Sequence, residues 1–292
     1  MASKPHLAQG PVFSLLLAAT LWGVIWYPLR LLNEHGLNGL WSSLVSYGVA
    51  LLAGVLYVAR HELNWREDKA RLALMALAAG WCNVAFVIAV IDGTVVRVLL
   101  LFYLSPVWAV LLGRWLLGER ASRMALAVVG VALAGALVML WDDALGLPWP
   151  RVAADWLALS SGFAFALSNV LVRRMRKVSL AAKTIASWLG VVLVALVWIW
   201  FKGHAFPHTT PQTVLGAAAL GLFGIVIMTV AVQYGVTHMP VHRSAVILLF
   251  ELVAGTVSSQ WLTQEVIGMR EMVGGVLIII AAYIAARPEI ER

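Results

Sequence analysis

The chain alternates between long apolar stretches and short polar links over almost its whole length. A membrane-crossing helix needs about 20 mainly apolar residues, and ten stretches meet this requirement. They lie at residues 12–32, 41–59, 71–91, 95–117, 123–140, 153–172, 183–201, 212–235, 244–263 and 268–287. The pattern predicts an all-α polytopic membrane protein with ten transmembrane helices. The first stretch is longer than the apolar region of a signal peptide, so it is predicted to be an uncleaved span.

The composition agrees with a lipid environment. Hydrophobic residues make up 62% of the 292 residues and charged residues only 12%, whereas soluble domains carry about 25% charged residues. The net charge of +7 does not come from any long basic block, so no nucleic-acid partner is expected. The lipid bilayer is therefore expected to surround the apolar helices.

The lysine and arginine residues are unevenly divided between the two predicted sides of the membrane. Of the 21 basic residues, 16 fall on the side of the two chain termini and 5 on the other. Basic residues accumulate in cytoplasmic loops. Both termini are therefore predicted to be cytoplasmic, which also requires an even number of spans.

The fourth and ninth stretches indicate an internal repeat. Residues 97–119 align with 243–265 without gaps. Arg97 falls on Arg243, Trp115 on Trp261, and Glu119 on Glu265. The prediction is two five-helix repeats, at 11–141 and 152–287. Because five is odd, the second repeat is inverted in the membrane, a plan that transporters use to place a solute site between the halves. A repeat with a purely structural role is the alternative.

The same stretches resemble a known family. The fourth reads FYLSPVWAVLLGRWLLGE, the ninth FELVAGTVSSQWLTQE, and the openings of the two halves contain AATLWGVIWYPLR and ADWLALSSGFAFALSNVLVRR. Together they resemble the EamA-type branch of the drug/metabolite transporter (DMT) superfamily over essentially the whole chain. Within that branch the sequence is similar to YddG-type exporters of aromatic amino acids.

The resemblance implies a monomeric secondary transporter of the bacterial inner membrane. It would export aromatic and other neutral amino acids by alternating access through a central cavity between the repeats. Members of this branch often carry Glu-Pro in the ninth helix, whereas Leu252 follows Glu251 here. A proline kink is therefore expected at Pro106 in the fourth helix and not in the ninth. Pro106 is either a gating hinge or a static kink that shapes packing.

Polar side chains inside the spans are the first candidates for solute binding. Glu251 lies about 10 Å along the ninth helix, where ionisable groups usually face a cavity or a partner. It could receive an ammonium group or carry a proton, or it could be a hydrogen-bonded structural residue. Asn83 and Asn169 could bind the charged groups of a zwitterion, or could bridge neighbouring helices.

Aromatic side chains share helix faces with these polar residues. Trp22 and Trp26 have i,i+4 spacing in the first helix, and Tyr103 shares a face with Pro106. Phe86 lies with Asn83 in the third helix and Phe165 with Asn169 in the sixth. Such rings could stack on a flat solute, although core packing gives the same spacings.

Other classes of function lack the residues they need. Cys82 is the only cysteine and is predicted to be an inert core residue, and no histidine pair has metal-ligand spacing. No metal or cofactor is expected. An enzyme needs several convergent groups, and Glu251 stands alone, so catalysis is not expected. There is no Walker motif for ATP hydrolysis.

The charges also narrow the solute. All basic residues lie at or near helix ends, which argues against phosphate-bearing solutes. Small multidrug relatives bind cations through an acid in the first helix, and no acid precedes Glu34 in that helix. A neutral or zwitterionic solute with an apolar body remains. Other amphipathic metabolites or drugs are the alternative.

Overall fold

The computed structural model describes residues 9–58, 68–143, 149–203, 205–263 and 267–287. Regular structure in these ranges is helical, without β-strands. The apolar helices are numbered in chain order: α1 Gln9–Glu34, α2 Gly39–Tyr57, α3 Lys69–Asp92, α4 Val95–Leu117, α5 Arg123–Met139, α6 Ala153–Arg174, α7 Leu180–Lys202, α8 Pro211–His238, α9 Val241–Leu262 and α10 Met269–Ala286.

Nine helices of the described part are long and apolar enough to cross a membrane. The remaining one, α5, is apolar but has 17 residues. It begins where the Ser122 hydroxyl accepts a hydrogen bond from the Ala125 amide, a typical N-cap. At 1.5 Å per residue α5 is about 25 Å long, close to the about 30 Å of a bilayer core. The structure therefore confirms an all-helical polytopic architecture with nine full-length helices.

Helix α4 is interrupted near its middle, as its proline predicts. Regular α-helix ends at Phe102 and resumes at Ser105, and Pro106 lies in the first turn of the second segment. Because Pro106 has no N–H group, the Phe102 carbonyl loses its helical partner. That carbonyl lies against Gly162 of α6, where a Cβ atom would be only 2.6 Å from its oxygen.

Helix α9 is interrupted as well, although it lacks the proline of the first half. The α-helix ends at Leu248 and resumes at Phe250. The Leu249 amide donates to the Val246 carbonyl at 3.2 Å. This three-residue spacing tightens the turn without a proline. In the alignment of the two stretches, Leu248 corresponds to Phe102, so both helices break at matching positions.

The helices pack in a regular order. Helix α3 packs on α6 and α7, and α8 packs on α1 and α2. Helix α1 also contacts α9, just as α6 contacts α4, and α5 pairs with α10. The α1–α9 contact is very close at Gly23, where a Cβ atom would lie 2.6 Å from the Glu251 carbonyl oxygen. Backbone therefore meets backbone beside both helix breaks.

Two ion pairs, one buried and one partly buried, fasten α4 to α6 at opposite ends. At the start of the helices, Arg97 contacts Asp155 at 2.9 Å, with side chains 9% and 1% exposed. At their other end, Arg173 contacts Glu119 at 3.0 Å. Helices α4 and α6 are therefore tied together along their whole length. Arg243, which the repeat alignment matches to Arg97, instead donates to backbone carbonyl groups of α10 and the residue after it.

The Glu119–Arg173 pair, which itself joins the two halves of the chain, makes two further contacts with the second half. The second Glu119 oxygen accepts a hydrogen bond from the Val241 amide at 3.1 Å, and Arg173 donates to the Thr237 carbonyl at 2.7 Å. This group of residues, the Glu119 clasp, joins the ends of α4, α6 and α8 to the start of α9. Glu265, the sequence counterpart of Glu119, lies outside the described residues.

A third ion pair links the two halves at the opposite end of the bundle. Asp143, just after α5, contacts Arg270 at the start of α10 at 2.7 Å. The hydrogen bond from Arg270 holds the pKa of the Asp143 carboxyl below its usual range. Both side chains are exposed, so solvent screens the pair and it contributes little to stability.

Candidate solute-binding cavity

A cavity of about 180 Å³ lies between the middle portions of the helices. Its lining residues come from α1–α4 and α6–α9, while α5 and α10 contribute none among the described residues. The volume is below the roughly 300–1,000 Å³ of pockets for drug-sized ligands. A cavity of this size suits a small solute of about the dimensions of an amino acid.

Most of the residues predicted from the sequence meet in this cavity. Its lining includes Trp22, Asn83, Phe86, Tyr103, Phe165, Asn169 and Glu251. Pro106 is buried directly beside the lining residue Ser105. Residues from both halves therefore face one space.

Trp26 is not among the lining residues. Its indole N–H donates to the Ser258 hydroxyl of α9 at 2.9 Å. The prediction that Trp22 and Trp26 share a face assumed a continuous helix. Helix α1 is interrupted at Ile25, between the two tryptophans, so the second ring bridges α1 and α9 while the first reaches the cavity.

An aromatic wall forms one side of the cavity and centres on Phe102. The ring of Phe102 lies 4.8 Å from Phe86 of α3 and 5.6 Å from Phe165 of α6. Tyr103 is edge-on to it at 5.3 Å. These separations are typical of attractive aromatic pairs. Sequence reasoning missed Phe102, although its position four residues before Pro106 marks it as the end of the broken helix.

The acidic group of the cavity is Glu251, two residues after the break in α9. The Tyr103 hydroxyl is beside the Glu251 carboxyl group and interacts with it. Cys82 of α3 is also close enough to interact electrostatically with Glu251. The prediction that Cys82 is an inert core residue is therefore incomplete, because it lines the cavity. None of the ion pairs between described residues includes Glu251.

Further polar groups line the cavity that sequence reasoning did not single out. They are Tyr47, Ser105, Ser168, Ser187, Thr229 and Gln233. Gln233 is 5% exposed, and its amide N–H donates to the Ser187 hydroxyl at 2.9 Å. The signal for Gln233 was present in the sequence, since a single amide in an apolar span follows the same rule that selected Asn83 and Asn169.

No lysine or arginine lines the cavity within the described part of the chain. Lys183 is the buried lysine nearest in sequence, four residues before Ser187, and it points elsewhere. Its ammonium group donates to the Thr237 hydroxyl at 2.8 Å and to the Val172 carbonyl at 3.3 Å. The described residues also contain no cluster of His, Cys, Asp or Glu that could hold a metal ion.

A bundle of apolar helices around a small, partly polar cavity at mid-depth defines a polytopic membrane protein that handles a small solute. Comparison with known families identifies it further. The sequence model of the EamA-like transporter family matches residues 10–141 and again residues 152–287. The chain therefore belongs to the EamA-like transporter family, within the DMT superfamily, and is a multi-pass membrane protein.

Individual relatives agree with this assignment. An uncharacterized transporter of Pseudomonas aeruginosa, PA0485, is 30% identical over 67% of this chain and 64% of its own length. The chain thus spans just under two thirds of that relative. A probable terminal-alkyne amino-acid exporter of Streptantibioticus cattleyicolor is 28% identical over 96% of this chain and 95% of its own. A solved crystal structure with 17% identity superposes with a TM-score of 0.74, covering 94% of this chain and 96% of that one, which supports the fold alone.

Proposed function

We propose that this protein exports aromatic and other neutral amino acids across the bacterial inner membrane through its central cavity. The observation that carries the proposal is the meeting of an aromatic wall with Glu251 and polar amides in one cavity without lysine or arginine. The rings suit the apolar body of the solute, and the polar groups suit its charged end. The similarity to a probable amino-acid exporter along nearly the whole chain supports the same solute class.

Ten membrane helices in two inverted repeats are part of the proposal. The packing is what an approximate two-fold axis within the membrane produces: α3 lies on α6 and α7 as α8 lies on α1 and α2, and α5 meets its counterpart α10. The family match falls into two segments, 10–141 and 152–287, close to the predicted repeats. On this plan α5 crosses the membrane despite its shorter length.

Alternating access then follows from rocking of the two halves about the cavity. The distribution of basic residues, 16 against 5, supports cytoplasmic termini and therefore a cytoplasmic position of the Glu119 clasp. In this conformation Glu119 joins the first half to α6 and α9 of the second half, and on this proposal the clasp acts as a closed inner gate. One chain supplies the whole cavity, which supports a functional monomer.

Counterflow into liposomes that contain the purified protein tests the proposed solute. Vesicles preloaded with unlabelled phenylalanine should accumulate labelled Phe and Trp. Labelled Thr should accumulate more slowly, because threonine has no ring to stack against the aromatic wall. Empty vesicles and vesicles with the Glu251→Gln variant are the controls. Amino-acid accumulation no higher than in empty vesicles contradicts the proposal. The aromatic wall would also accept other amphipathic metabolites or drugs, so an amphipathic dye belongs in the same panel.

A further inference from the structure

The cavity lining includes residues whose hydrogen-bond acceptors have no donor. The side-chain oxygens of Asn83 and Gln233 are buried and have no hydrogen-bond partner in the described part of the protein. Both residues line the same cavity, one from α3 and the other from α8. A buried acceptor without a partner is destabilising. Two such oxygens in the lining of one small cavity therefore indicate that their hydrogen-bond donor is supplied from outside the protein.

The orientation of the Gln233 amide follows from its surroundings. The Ser187 hydroxyl donates its hydrogen to the Lys183 carbonyl at 3.0 Å, so its oxygen can only accept from Gln233. The Gln233 nitrogen must therefore face Ser187, and the unpaired atom is the amide oxygen. In Asn83 the nitrogen is directed at the Tyr47 hydroxyl at 3.5 Å, and in this arrangement the side-chain oxygen has no partner.

Glu251 adds a third acceptor to the same space. Its ionised form requires a counter-ion, because an uncompensated charge at mid-membrane depth is costly. The cavity lining contains no lysine or arginine to supply one, and Lys183 is held by Thr237 and Val172. The Glu251 carboxylate is therefore neutralised either by a cationic group of the solute or by protonation.

The two ends of an amino acid would meet very different surroundings in this cavity. An ammonium group finds the Glu251 carboxyl group, and the amide oxygens of Asn83 and Gln233 belong to residues of the same lining. A carboxylate finds only neutral hydroxyl and amide donors, without the basic residue that usually pairs with a carboxylate. Recognition of the solute is therefore centred on its amino group.

We infer that this protein also transports primary aromatic amines, which keep the ammonium group and the ring but have no carboxylate. The inference rests on the proposed function only in using the same cavity. From the sequence, an acid that binds cationic solutes was expected only in α1. In the folded chain the acid comes from α9 and faces the cavity.

Three compounds that differ in one group at a time test the inference: L-phenylalanine, 2-phenylethylamine and 3-phenylpropionate. Binding to the purified full-length protein in detergent is measured from the ligand-induced rise in unfolding temperature, which avoids leakage of the amine and the acid through lipid. Phenylalanine and 2-phenylethylamine should each raise the unfolding temperature, and 3-phenylpropionate should not. Each bound compound should also drive counterflow of labelled phenylalanine in liposomes.

Two variants locate the binding group. Gln233→Met and Asn83→Leu keep the side-chain size and remove the acceptor oxygen, and each should weaken 2-phenylethylamine binding at least tenfold. Gln212→Met makes the same chemical change at an exposed position at the start of α8 and should leave binding unchanged. If a cavity variant fails to fold, the comparison of the three compounds on the unaltered protein still decides the question.

The outcomes separate this inference from the proposed function. Binding of phenylalanine and 3-phenylpropionate without binding of 2-phenylethylamine would overturn the inference and leave amino-acid export standing. Binding and transport of the amine without the amino acid would support the inference and overturn amino-acid export. If none of the three compounds binds, both are wrong.

Discussion

At the scale of single residues, the cavity combines a charge and an aromatic ring from different halves of the chain. Tyr103 follows the end of the first segment of α4, and Glu251 opens the second segment of α9. Their side chains meet because both helices break at this level. A carboxyl group that touches a hydroxyl and has no cationic partner among the described residues is suited to exchange one bound cation for another.

Replacement of Glu251 by glutamine should lower amino-acid flux at neutral pH by about tenfold or more, since a charge-assisted hydrogen bond is worth roughly 1.5–3 kcal/mol. In the unaltered protein flux should fall as the pH decreases, because a proton then replaces the ammonium group at the carboxylate. The variant should lose this pH dependence. Counterflow measured across a pH series, with equal amounts of protein in the vesicles, provides the check. Identical pH profiles for both proteins would exclude a central role for Glu251.

Replacement of Tyr103 by alanine should reduce the affinity for Phe and Trp several-fold more than that for Thr, because an aromatic contact contributes about 0.5–1.5 kcal/mol beyond burial. Tyr103→Phe keeps the ring and serves as the matched control. The measurement is competition of each amino acid with labelled phenylalanine in liposomes. Equal losses for all three amino acids would indicate a packing defect instead.

The sequence predicted many of the cavity residues because one rule applied to each of them: a polar or aromatic side chain in the middle of an apolar span. It could not predict which of two neighbouring residues faces inward. Trp26 was misplaced because α1 is interrupted at Ile25, between the two tryptophans. The interruption follows Val24, whose carbonyl group lies four residues before Pro28 and so has no N–H partner there, an effect of Pro28 that was overlooked. Phe102 was missed because a regular helix would point it about 100° away from Tyr103.

At the scale of helices, interruptions position the site. Helices α4 and α9 both break beside the cavity, and each break lies against a glycine of a neighbouring helix, Gly162 or Gly23. The break in α4 was predictable from Pro106. The break in α9 was not, because it consists of tight three-residue hydrogen bonds in a sequence of ordinary helix formers. Such bonds depend on the surrounding helices as much as on local sequence.

Pro106→Ala should keep the fold and lower transport several-fold. Alanine restores the N–H group that can pair with the Phe102 carbonyl, and it favours a straighter and less mobile helix. Flux in liposomes and the unfolding temperature should be measured on the same preparation. A raised or unchanged unfolding temperature with reduced flux indicates a hinge, whereas unchanged flux would show that the proline only shapes packing.

At the scale of the whole molecule, ion pairs join the two halves of the chain. Arg97 with Asp155 and Arg173 with Glu119 both join α4 of the first half to α6 of the second. The bond between Glu119 and Val241 also crosses between the halves, whereas the bond from Arg173 to Thr237 lies within the second half. The all-helical, multi-pass architecture was predictable from hydropathy, but these long-range pairs were not, because sequence order does not show which helix ends meet.

Glu119→Gln should loosen the clasp and open the cavity toward its side of the membrane. The single native cysteine, Cys82, reports this opening because it lines the cavity. In membrane vesicles of defined orientation, thiol reagents applied from the clasp side should label the variant several times faster than the unaltered protein. Glu34→Gln is the matched control, since Glu34 forms an exposed ion pair with Arg30 of the same helix. Equal labelling rates in the variant and the control would show that the clasp is not a gate.

The unequal helix breaks have an energetic consequence for a carrier of this design. Two identical inverted halves would give inward- and outward-facing states of equal free energy, so neither would be preferred without a gradient. Here the break in α4 is permanent, because Pro106 has no N–H group, whereas α9 keeps every N–H group needed to return to a regular helix. If the protein works by the proposed alternating access, its two facing states therefore differ in free energy and one of them is the resting orientation. Under the proposed mechanism, exchanging the residues at 106 and 252 would reverse that preference.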